Sequence, residues 1–354
     1  MAAVKHIVVT GFSGTGSSAI IDLLKEFDNC GVPFNKKDYE DYFLTAPGAL
    51  FDLEWKLLYN NDPHRSDEAF DTYMKMMTKL YKYDFRWFGG YRQNIGPQFI
   101  KNINEFVNNI AKSSDKTWYY RYKKRIFSPF RYFYRLFRYK LANKDFNLDG
   151  GYIVIDDAPI YISYPKKEEF FDAAQKLIQN YVNMISEKEI TIHDHLIWPT
   201  HVHNIDKYFD DSYRFIIVHR DARDVFLTNK YLYTDKGAAG TCPLDVDEYI
   251  EYWQRLLNIG ESQEHPNVKH VNFEDLIYNY EDTVMEIINF CSLDIKLWTK
   301  QKKNFNPEKS IKNTQVFTMN EVCKKEGEQI ARSLPDLIYD FPYQSDTTIS
   351  QMFV

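Results

Sequence analysis

One stretch near the N-terminus restricts the possible folds more than any other part of the chain. From Val8 it reads VVTGFSGTGSSAIIDLL: an apolar run, a glycine-rich turn and then apolar residues at helical spacing. Such an apolar run predicts a central strand of a parallel sheet that helices cover on both faces. Gly11, Gly14 and Gly16 let a ligand approach the backbone, and the N-terminus of a helix attracts anions. The stretch therefore predicts an anion site; a plain connection between strand and helix is the alternative.

The glycine-rich turn differs from the phosphate loop of nucleoside-triphosphate enzymes at one position. Gly11 and Gly16 match the glycines of G-x-x-x-x-G-K-[ST], and Ser18 supplies the hydroxyl. Ser17, however, stands where the lysine belongs. Because that lysine contacts the β- and γ-phosphates of the nucleotide, its absence argues against a kinase. A kinase with a degenerate loop remains an alternative.

Strand and helix patterns alternate along the 354 residues, which predicts the α/β fold class. We expect a P-loop-type, mostly parallel central sheet flanked by helices, with its ligand at the carboxyl ends of the strands. Residues 55–145 show helical patterns and polar loops without a strand pattern, and we interpret them as a helical insertion. The whole chain, residues 1–354, is predicted to be a single domain whose last 50 or so residues are polar and irregular.

Cysteine spacing and hydropathy indicate the cellular compartment in which the protein is expected. The chain has no apolar run of 18 residues, and no signal-peptide pattern precedes its first predicted strand. Its four cysteines are scattered without C-x-x-C spacing, so neither a disulfide framework nor a cysteine zinc site is predicted. We therefore expect a cytoplasmic protein that is neither secreted nor membrane-spanning.

A strongly basic segment interrupts this otherwise acidic chain. Residues 116–144 contain ten Lys or Arg and eleven aromatic residues but no acidic residue, although the net charge of the chain is −6. This composition predicts contact with an anionic membrane at its inner face, or with an acidic polysaccharide. Nucleic acid is not expected as a partner, because the rest of the molecule is acidic. A surface helix with basic residues facing water is the alternative.

A second motif, VHRDARDVFLTNKYL, follows another apolar strand pattern. Arg220 ends that strand, and Thr228 lies eight residues later, where the following helix returns its hydroxyl to the strand end. The pair suits a terminal phosphate, because a guanidinium forms bidentate, charge-assisted hydrogen bonds. The alternative is a surface cluster of ion pairs among Arg220, Asp221, Arg223 and Asp224.

Together with a third motif, these stretches resemble the sulfotransferases that use 3′-phosphoadenosine 5′-phosphosulfate, and most of all their bacterial carbohydrate-type branch. The resemblance rests on GFSGTGSSAIIDLL, FIIVHRDARDVFLTNKY and VKHVNFEDLIYNYEDTVMEIINFCSL, and it covers residues 4–43 and 190–295. It implies that Arg220 and Thr228 bind the 3′-phosphate and that the first loop binds the 5′-phosphosulfate. The loop residues concerned are Gly11, Gly14, Thr15, Gly16, Ser17 and Ser18.

The resemblance also implies a C-terminal segment that closes over the nucleotide, and NPEKSIKN supplies Ser310 and Lys312 for it. Two positions depart from the family pattern. Ala222 stands at a proline position, and Gly14 stands where a Lys or Arg usually neutralises charge on the leaving nucleotide. Either the loop amides and hydroxyls suffice, or the basic segment around residues 121–138 supplies the cation, or the protein binds nucleotide without turnover.

Sulfuryl transfer needs a base for the proton of the acceptor hydroxyl. The resemblance implies a carboxylate shortly after the first helix, where DYEDYF offers Glu40 and Asp41; solvated loop carboxylates are the alternative. Other branches of the family use a histidine, and here we select His195 from HDHLIWPTHVH. Structural roles or metal binding are alternatives for the histidines of that stretch, although no metal is expected. These histidines are His193, His195, His201 and His203.

Two further carboxylates, Asp156 and Asp157, end a predicted strand in VIDDAP. They would hydrogen-bond acceptor hydroxyls or, in a kinase-like site, hold magnesium. Taken together, the motifs predict a sulfotransferase that acts on a hydroxyl of a carbohydrate or glycolipid. A P-loop kinase-like phosphotransferase and a non-catalytic glycan- or membrane-binding protein are the alternatives.

Overall fold

The computed structural model describes residues 3–36, 39–85, 87–114, 160–233, 242–258 and 265–344, together with Phe133 and Phe137. Three predicted features lie outside the described residues: the basic segment 116–144 apart from Phe133 and Phe137, the strand at 151–159, and its aspartates Asp156 and Asp157. Within the described ranges, no helix is both long enough and apolar enough to cross a bilayer.

The centre of the described fold is a sheet of five parallel strands. The strands found in the described residues are β1 (His6–Gly11), β2 (Cys30–Gly31), β3 (Ser113–Ser114), β4 (Ile160–Tyr161), β5 (Ile190–Asp194), β6 (Tyr213–His219) and β7 (Val268–Asn272). The sheet has the order β2-β5-β1-β6-β7, and each of its pairings is parallel. This arrangement confirms the predicted α/β class with a parallel central sheet. β3 and β4 form a separate antiparallel pair.

Helices pack on both faces of the sheet. They are α1 (Ser17–Leu24), α2 (Leu50–Glu54), α3 (Pro63–Lys82), α4 (Tyr91–Asn94), α5 (Gln98–Ile110), α6 (Lys167–Ile185), α7 (Ile205–Tyr208), α8 (Ala222–Leu227), α9 (Val246–Asn258), α10 (Asp275–Tyr278), α11 (Tyr280–Phe290), α12 (Pro307–Ser310) and α13 (Glu321–Ser333). All six residues of β1 are buried. Val8 belongs to a hydrophobic core with α3, α5 and α6, whereas Ile7 and Val9 belong to a second core with α1 and α11. Because each face of the strand meets its own core, the consecutive residues Ile7, Val8 and Val9 are all apolar.

The order of the sheet brings three loops to one edge. β1 lies between β5 and β6, with Val9 paired to Asp194 and Gly11 paired to Val218. Because parallel strands end at the same edge of a sheet, the loops that follow β1, β5 and β6 are neighbours. This edge contains the candidate site.

The described part of the predicted insertion is mainly helical. α5 packs on α6, where the side-chain amide of Asn102 donates to the carbonyl oxygen of Leu177 at 2.9 Å. The expectation of no strand is wrong at Ser113–Ser114, which pairs with Ile160–Tyr161. A strand of two residues is too short to show an alternating pattern, so only its partner in the fold reveals it. The assignment of residues 1–354 to one domain stays a prediction.

The prediction of an irregular C-terminus is wrong for residues 321–333, which form α13. The amide groups of Val322 and Cys323 donate to the side chain of Asn320, which caps this helix. Only three residues of α13 are buried, namely Cys323, Gly327 and Ile330. So narrow a stripe in a polar sequence gives a weak periodic signal, and packing in the tertiary structure stabilises the helix instead.

Candidate active site

The loop between β1 and α1 is a tight turn in which two glycines are sterically required. A Cβ atom on Gly11 would lie 2.2 Å from Thr15 Oγ1 and 2.8 Å from the carbonyl oxygen of Val218. Gly16 caps α1 with a left-handed backbone of φ 93°. A Cβ atom on Gly16 would lie 2.7 Å from Phe273 Cδ2. Only glycine therefore fits at either position.

The N-terminus of α1 faces the same side of the loop. The helix receives no side-chain cap from the described residues. Ser17 is half-buried and Ser18 is exposed at its first two positions. Thr15 is buried, and its hydroxyl donates to the carbonyl oxygen of Phe12 at 2.8 Å, so this side chain shapes the loop. The first-turn amides of α1 and the two serine hydroxyls form the part of the loop that suits an anion.

Arg220 joins three separate segments of the chain. Its Nη1 donates to the carbonyl oxygen of Gly14 at 2.8 Å. Its Nη2 donates to Thr228 Oγ1 at 3.2 Å and to the carbonyl oxygen of Asn313 at 2.5 Å. The arginine is 8% exposed, and its buried Nε has no hydrogen-bond partner within the described ranges. The two sequence motifs and the C-terminal segment thus meet at one guanidinium.

The ion-pair alternative for Arg220 does not describe this structure. It is Arg223 that pairs with Asp221, with Nη2 and Oδ2 2.6 Å apart. Asp224 is fully buried and accepts hydrogen bonds from the amides of Gln315 and Val316, both at 2.7 Å. Asp224 therefore fixes the C-terminal segment that contacts Arg220.

Two buried acids near the guanidinium, Asp224 and Glu274, have raised pKa values. Burial, with the charge of Asp221, raises the pKa of Asp224 to about 7. Burial likewise raises the pKa of Glu274 to about 8. Phe273 lies beneath the guanidinium, with its ring centre 5.3 Å from Cζ of Arg220. Sequence reasoning missed Phe273 and Glu274, although both stand in the FEDL part of the third motif.

His195 lies at the carboxyl end of β5, directly beside the loop. Its Nδ1 is 2.5 Å from Asp194 Oδ1, and its Nε2 is 3.1 Å from the carbonyl oxygen of Gly11. Both partners are acceptors, so both ring nitrogens donate and the imidazole carries a positive charge. Burial opposes this charge, but the hydrogen bond and charge of Asp194, with the charge of Glu40, raise the pKa of His195 overall. Asp194 was not among the predicted site residues.

The two neighbouring carboxylates of the predicted base position have different surroundings. Glu40 is half-buried and accepts a hydrogen bond from the hydroxyl of Tyr42. Asp41 is fully buried; its Oδ1 accepts hydrogen bonds from the hydroxyl of Tyr181 at 2.9 Å and from the amide of Phe43 at 3.2 Å. An acceptor hydroxyl cannot reach a carboxylate enclosed in this way. Of the two, only Glu40 has access to a substrate.

The other three histidines of HDHLIWPTHVH, namely His193, His201 and His203, lie in different surroundings. His193 Nε2 is 3.2 Å from His6 Nδ1 in the core, and the ring of His201 stacks on Phe51 with 4.4 Å between ring centres. His203 is exposed. Within the described ranges, no group of three His, Cys, Asp or Glu side chains is arranged to hold a metal ion.

The two predicted C-terminal residues are sequence neighbours of Asn313, and within the described residues no hydrogen bond joins either of them to Arg220. Ser310 ends α12, and Lys312 lies in the turn Ile311–Asn313; both are half-buried. It is the backbone carbonyl of Asn313 that contacts Arg220. The placement of Ser310 and Lys312 in the nucleotide site stays a prediction.

The arrangement fits an elongated ligand with an anionic group at each end. The guanidinium of Arg220 provides positive charge at one end, and the loop amides provide donors at the other. Gly14 lies between them with a φ of 86°, and a Cβ atom there would lie 3.0 Å from Asn229 Nδ2. A side chain at position 14 would therefore crowd the Asn229 amide.

Comparison with known proteins identifies similarity to solved sulfotransferase structures. No protein-family model matches the chain, and no curated protein matches it in sequence. The sulfotransferase domain of a Synechococcus olefin synthase is 13% identical at a TM-score of 0.39, with 96% of each chain covered. A sulfotransferase from Alicyclobacillus acidocaldarius is 12% identical at a TM-score of 0.36, with 96% of this chain and 98% of that chain covered.

A third similar structure is a retinol dehydratase in complex with androsterone and the inactive cofactor PAP. It is 12% identical at a TM-score of 0.33, with 97% of this chain and 84% of that chain covered. At such identities and TM-scores the activity of this chain has to follow from its own residues.

Proposed function

We propose that the protein is a sulfotransferase that transfers a sulfuryl group from 3′-phosphoadenosine 5′-phosphosulfate to a hydroxyl group. The observation that carries the proposal is the position of Arg220. Its guanidinium contacts the anion-binding loop at Gly14, the hydroxyl of Thr228 and the backbone of Asn313, and its Nε is buried without a partner in the described part of the chain. A second phosphate beside a phosphate loop distinguishes this donor from ATP.

Each end of the donor has residues that suit it. Arg220 and Thr228 would bind the 3′-phosphate through charge-assisted hydrogen bonds. The amides at the start of α1, with Ser17 and Ser18, would bind the 5′-phosphosulfate. When bound, the donor supplies an electrophilic sulfur, whose bond to the bridging oxygen breaks as the acceptor oxygen attacks.

Glu40 is the proposed base. It is the accessible carboxylate at the predicted position, and its charge acts on His195 beside the loop. Glu40 would take the proton of the acceptor hydroxyl as the oxygen attacks sulfur. Asp41 has a different role: its amide donates to the carbonyl oxygen of Asp194 at 2.6 Å, so it positions Glu40 relative to Asp194.

His195 is the proposed source of the positive charge that the loop lacks at Gly14. The imidazolium donates to the carbonyl oxygen of Gly11, the first residue of the loop. A fixed positive charge there would stabilise the negative charge that develops on the leaving nucleotide. His195 would then act as an electrostatic group, since its two nitrogens are already protonated.

The acceptor and the cellular location complete the proposal. We expect a hydroxyl of a carbohydrate or glycolipid, modified in the cytoplasm or at the inner membrane face. The ten basic residues of segment 116–144 support contact with an anionic membrane or an acidic polysaccharide.

Nucleotide binding tests the proposal directly. We expect 3′,5′-adenosine bisphosphate to raise the melting temperature of the wild-type protein and to leave that of Arg220→Ala unchanged. Arg255→Ala is the matched control, because Arg255 is exposed on α9 and should not alter the shift. A shift with ATP and magnesium, and none with the bisphosphate, would overturn the proposal in favour of a kinase.

A further inference from the structure

Exposed aromatic residues lie beside the loop that carries Glu40. Tyr83, Phe85 and Trp87, which follow α3, are 58%, 43% and 51% exposed. Large aromatic side chains are mostly buried in proteins, so three exposed ones within five residues indicate a binding surface. Together with Phe88, these residues are called the aromatic loop below.

The backbone holds the aromatic loop in one conformation. The amide of Gly90 donates to the carbonyl oxygen of Tyr83 at 2.8 Å, and the amide of Phe85 donates to that of Phe88 at 3.0 Å. Gly89 has a φ of 79°, and a Cβ atom there would lie 2.6 Å from the carbonyl oxygen of Tyr83. The rings of Phe85 and Phe88 stack with 4.7 Å between their centres. The exposed rings are therefore preorganised for a ligand.

The aromatic loop contacts the proposed base directly. The amide of Glu40 donates to the carbonyl oxygen of Trp87 at 2.7 Å. The ring of Phe88 packs edge-on against Tyr42, with 4.9 Å between ring centres, and the hydroxyl of Tyr42 donates to Glu40. An acceptor whose hydroxyl reaches Glu40 would consequently lay its remaining atoms on the aromatic loop.

A basic groove continues from the far end of the aromatic loop. This groove of about 570 Å³ is bordered by Tyr83, by three lysines of α3 (Lys75, Lys79 and Lys82) and by the apolar side chains of Pro47, Met74 and Met76. Of the lysines, Lys75 pairs with Asp71, with 2.7 Å between Nζ and Oδ2. The other two are exposed. Three positive charges against one negative charge make the groove complementary to an anion.

We propose that the acceptor is an acidic oligosaccharide that binds along this surface; the identification of the surface as the acceptor site rests on the proposed function. One sugar presents its hydroxyl to Glu40, the next rings stack on Trp87 and Phe85, and carboxylate or sulfate groups pair with Lys79 and Lys82. Glu40, the aromatic loop and the α3 lysines follow one another in the structure. A reactive hydroxyl, further sugar rings and acidic groups follow one another in the same way along an acidic oligosaccharide.

Oligosaccharide binding without nucleotide tests the inference. The probes are a hexasaccharide of alternating glucuronic acid and N-acetylglucosamine and, as its neutral counterpart, a hexamer of N-acetylglucosamine. Titration calorimetry on the full-length chain compares wild type with Trp87→Ala and with Lys79→Ala/Lys82→Ala. Trp55→Ala and Lys303→Ala/Lys325→Ala are the matched controls, because they remove an exposed tryptophan and two exposed lysines elsewhere. Thermal unfolding verifies that each variant is folded.

The inference predicts that the acidic probe binds more tightly than the neutral one. Trp87→Ala should weaken both probes about tenfold, and the double lysine variant should weaken only the acidic probe, also about tenfold. The controls should stay within about twofold. Equal affinity in variants and controls, or no binding of the acidic probe, would overturn the inference.

Three further outcomes separate the inference from its alternatives. Binding to phosphatidylglycerol vesicles that is lost in Trp87→Ala, without oligosaccharide binding, would identify a membrane surface and overturn the inference. If the oligosaccharide binds as expected but 3′,5′-adenosine bisphosphate does not, the subsite stands and the proposed transfer fails. If the bisphosphate binds but Trp87→Ala leaves the oligosaccharide affinity unchanged, the subsite fails and the proposed transfer stands.

Discussion

The guanidinium of Arg220 donates a hydrogen bond to the carbonyl oxygen of Gly14 at 2.8 Å, across 206 positions of sequence. The contact follows from the sheet, because β1 and β6 are adjacent parallel strands and Gly11 is paired with Val218. In the proposed function, the loop and the arginine are therefore two halves of one anion site. A change in either half is expected to affect ligand binding by the other.

A methyl group on Gly14 should disrupt this site. Gly14→Ala places Cβ 3.0 Å from Asn229 Nδ2 at a left-handed φ, whereas Gly96→Ala has a similar φ and no atom within 4 Å. Both variants should lose about 1 kcal/mol of unfolding free energy from backbone strain. Only Gly14→Ala should also lose affinity for 3′,5′-adenosine bisphosphate, measured by calorimetry. Equal affinities in the two variants would contradict the role of the loop.

The hydroxyl of Thr228 should contribute to phosphate binding. Thr228→Val removes a buried partner of Arg220 and should weaken binding of the bisphosphate about tenfold, which corresponds to about 1.4 kcal/mol. Thr228→Ser retains the hydroxyl and should stay within about twofold of wild type. The prediction fails if valine and serine give the same dissociation constant.

Adjacent carboxylates should respond differently to substitution. Glu40→Gln should lower kcat at least about 100-fold while leaving the melting temperature and the bisphosphate affinity unchanged, because it removes a base. Asp41→Ala should instead lower the free energy of unfolding by about 3 kcal/mol, because it removes the carboxylate that accepts hydrogen bonds from the buried hydroxyls of Tyr181 and Tyr91. Denaturant unfolding and initial rates of sulfuryl transfer separate the two effects. A large loss of stability in Glu40→Gln would contradict the assignment.

Glu274 should make stability fall with rising pH. Its pKa is raised from 4.5 to about 8 by burial, so between these values the folded state binds a proton that the unfolded state has released. The free energy of unfolding therefore decreases as pH rises through this window. Glu274→Gln keeps an acceptor for the amide of Asp221 and should flatten the melting-temperature profile between pH 5 and about 8. If the melting temperatures of Glu274→Gln and wild type change in the same way with pH, the prediction that Glu274 is protonated in the folded protein is refuted.

Local sequence patterns were sufficient to predict several features of this structure. An apolar run followed by spaced glycines is compatible with few structures besides a buried strand and a tight turn into a helix, and β1, Gly11–Gly16 and α1 have that form. The spacing of Arg220 and Thr228 also sufficed to predict their contact, since about two helical turns after the strand keep Thr228 within reach of the long Arg220 side chain. These features depend on neighbours in sequence.

Other features were decided only by packing between distant segments. Glu40 and Asp41 are alike in sequence, but Asp41 becomes enclosed because Tyr181 of α6 and the end of β5 pack against it. Likewise, His195 carries its charge because the fold brings Gly11 of β1 to its second nitrogen. Burial, proton positions and the order of charges along a surface are set by contacts between segments far apart in the chain. No local pattern encodes them, because each depends on atoms that only the tertiary structure brings together.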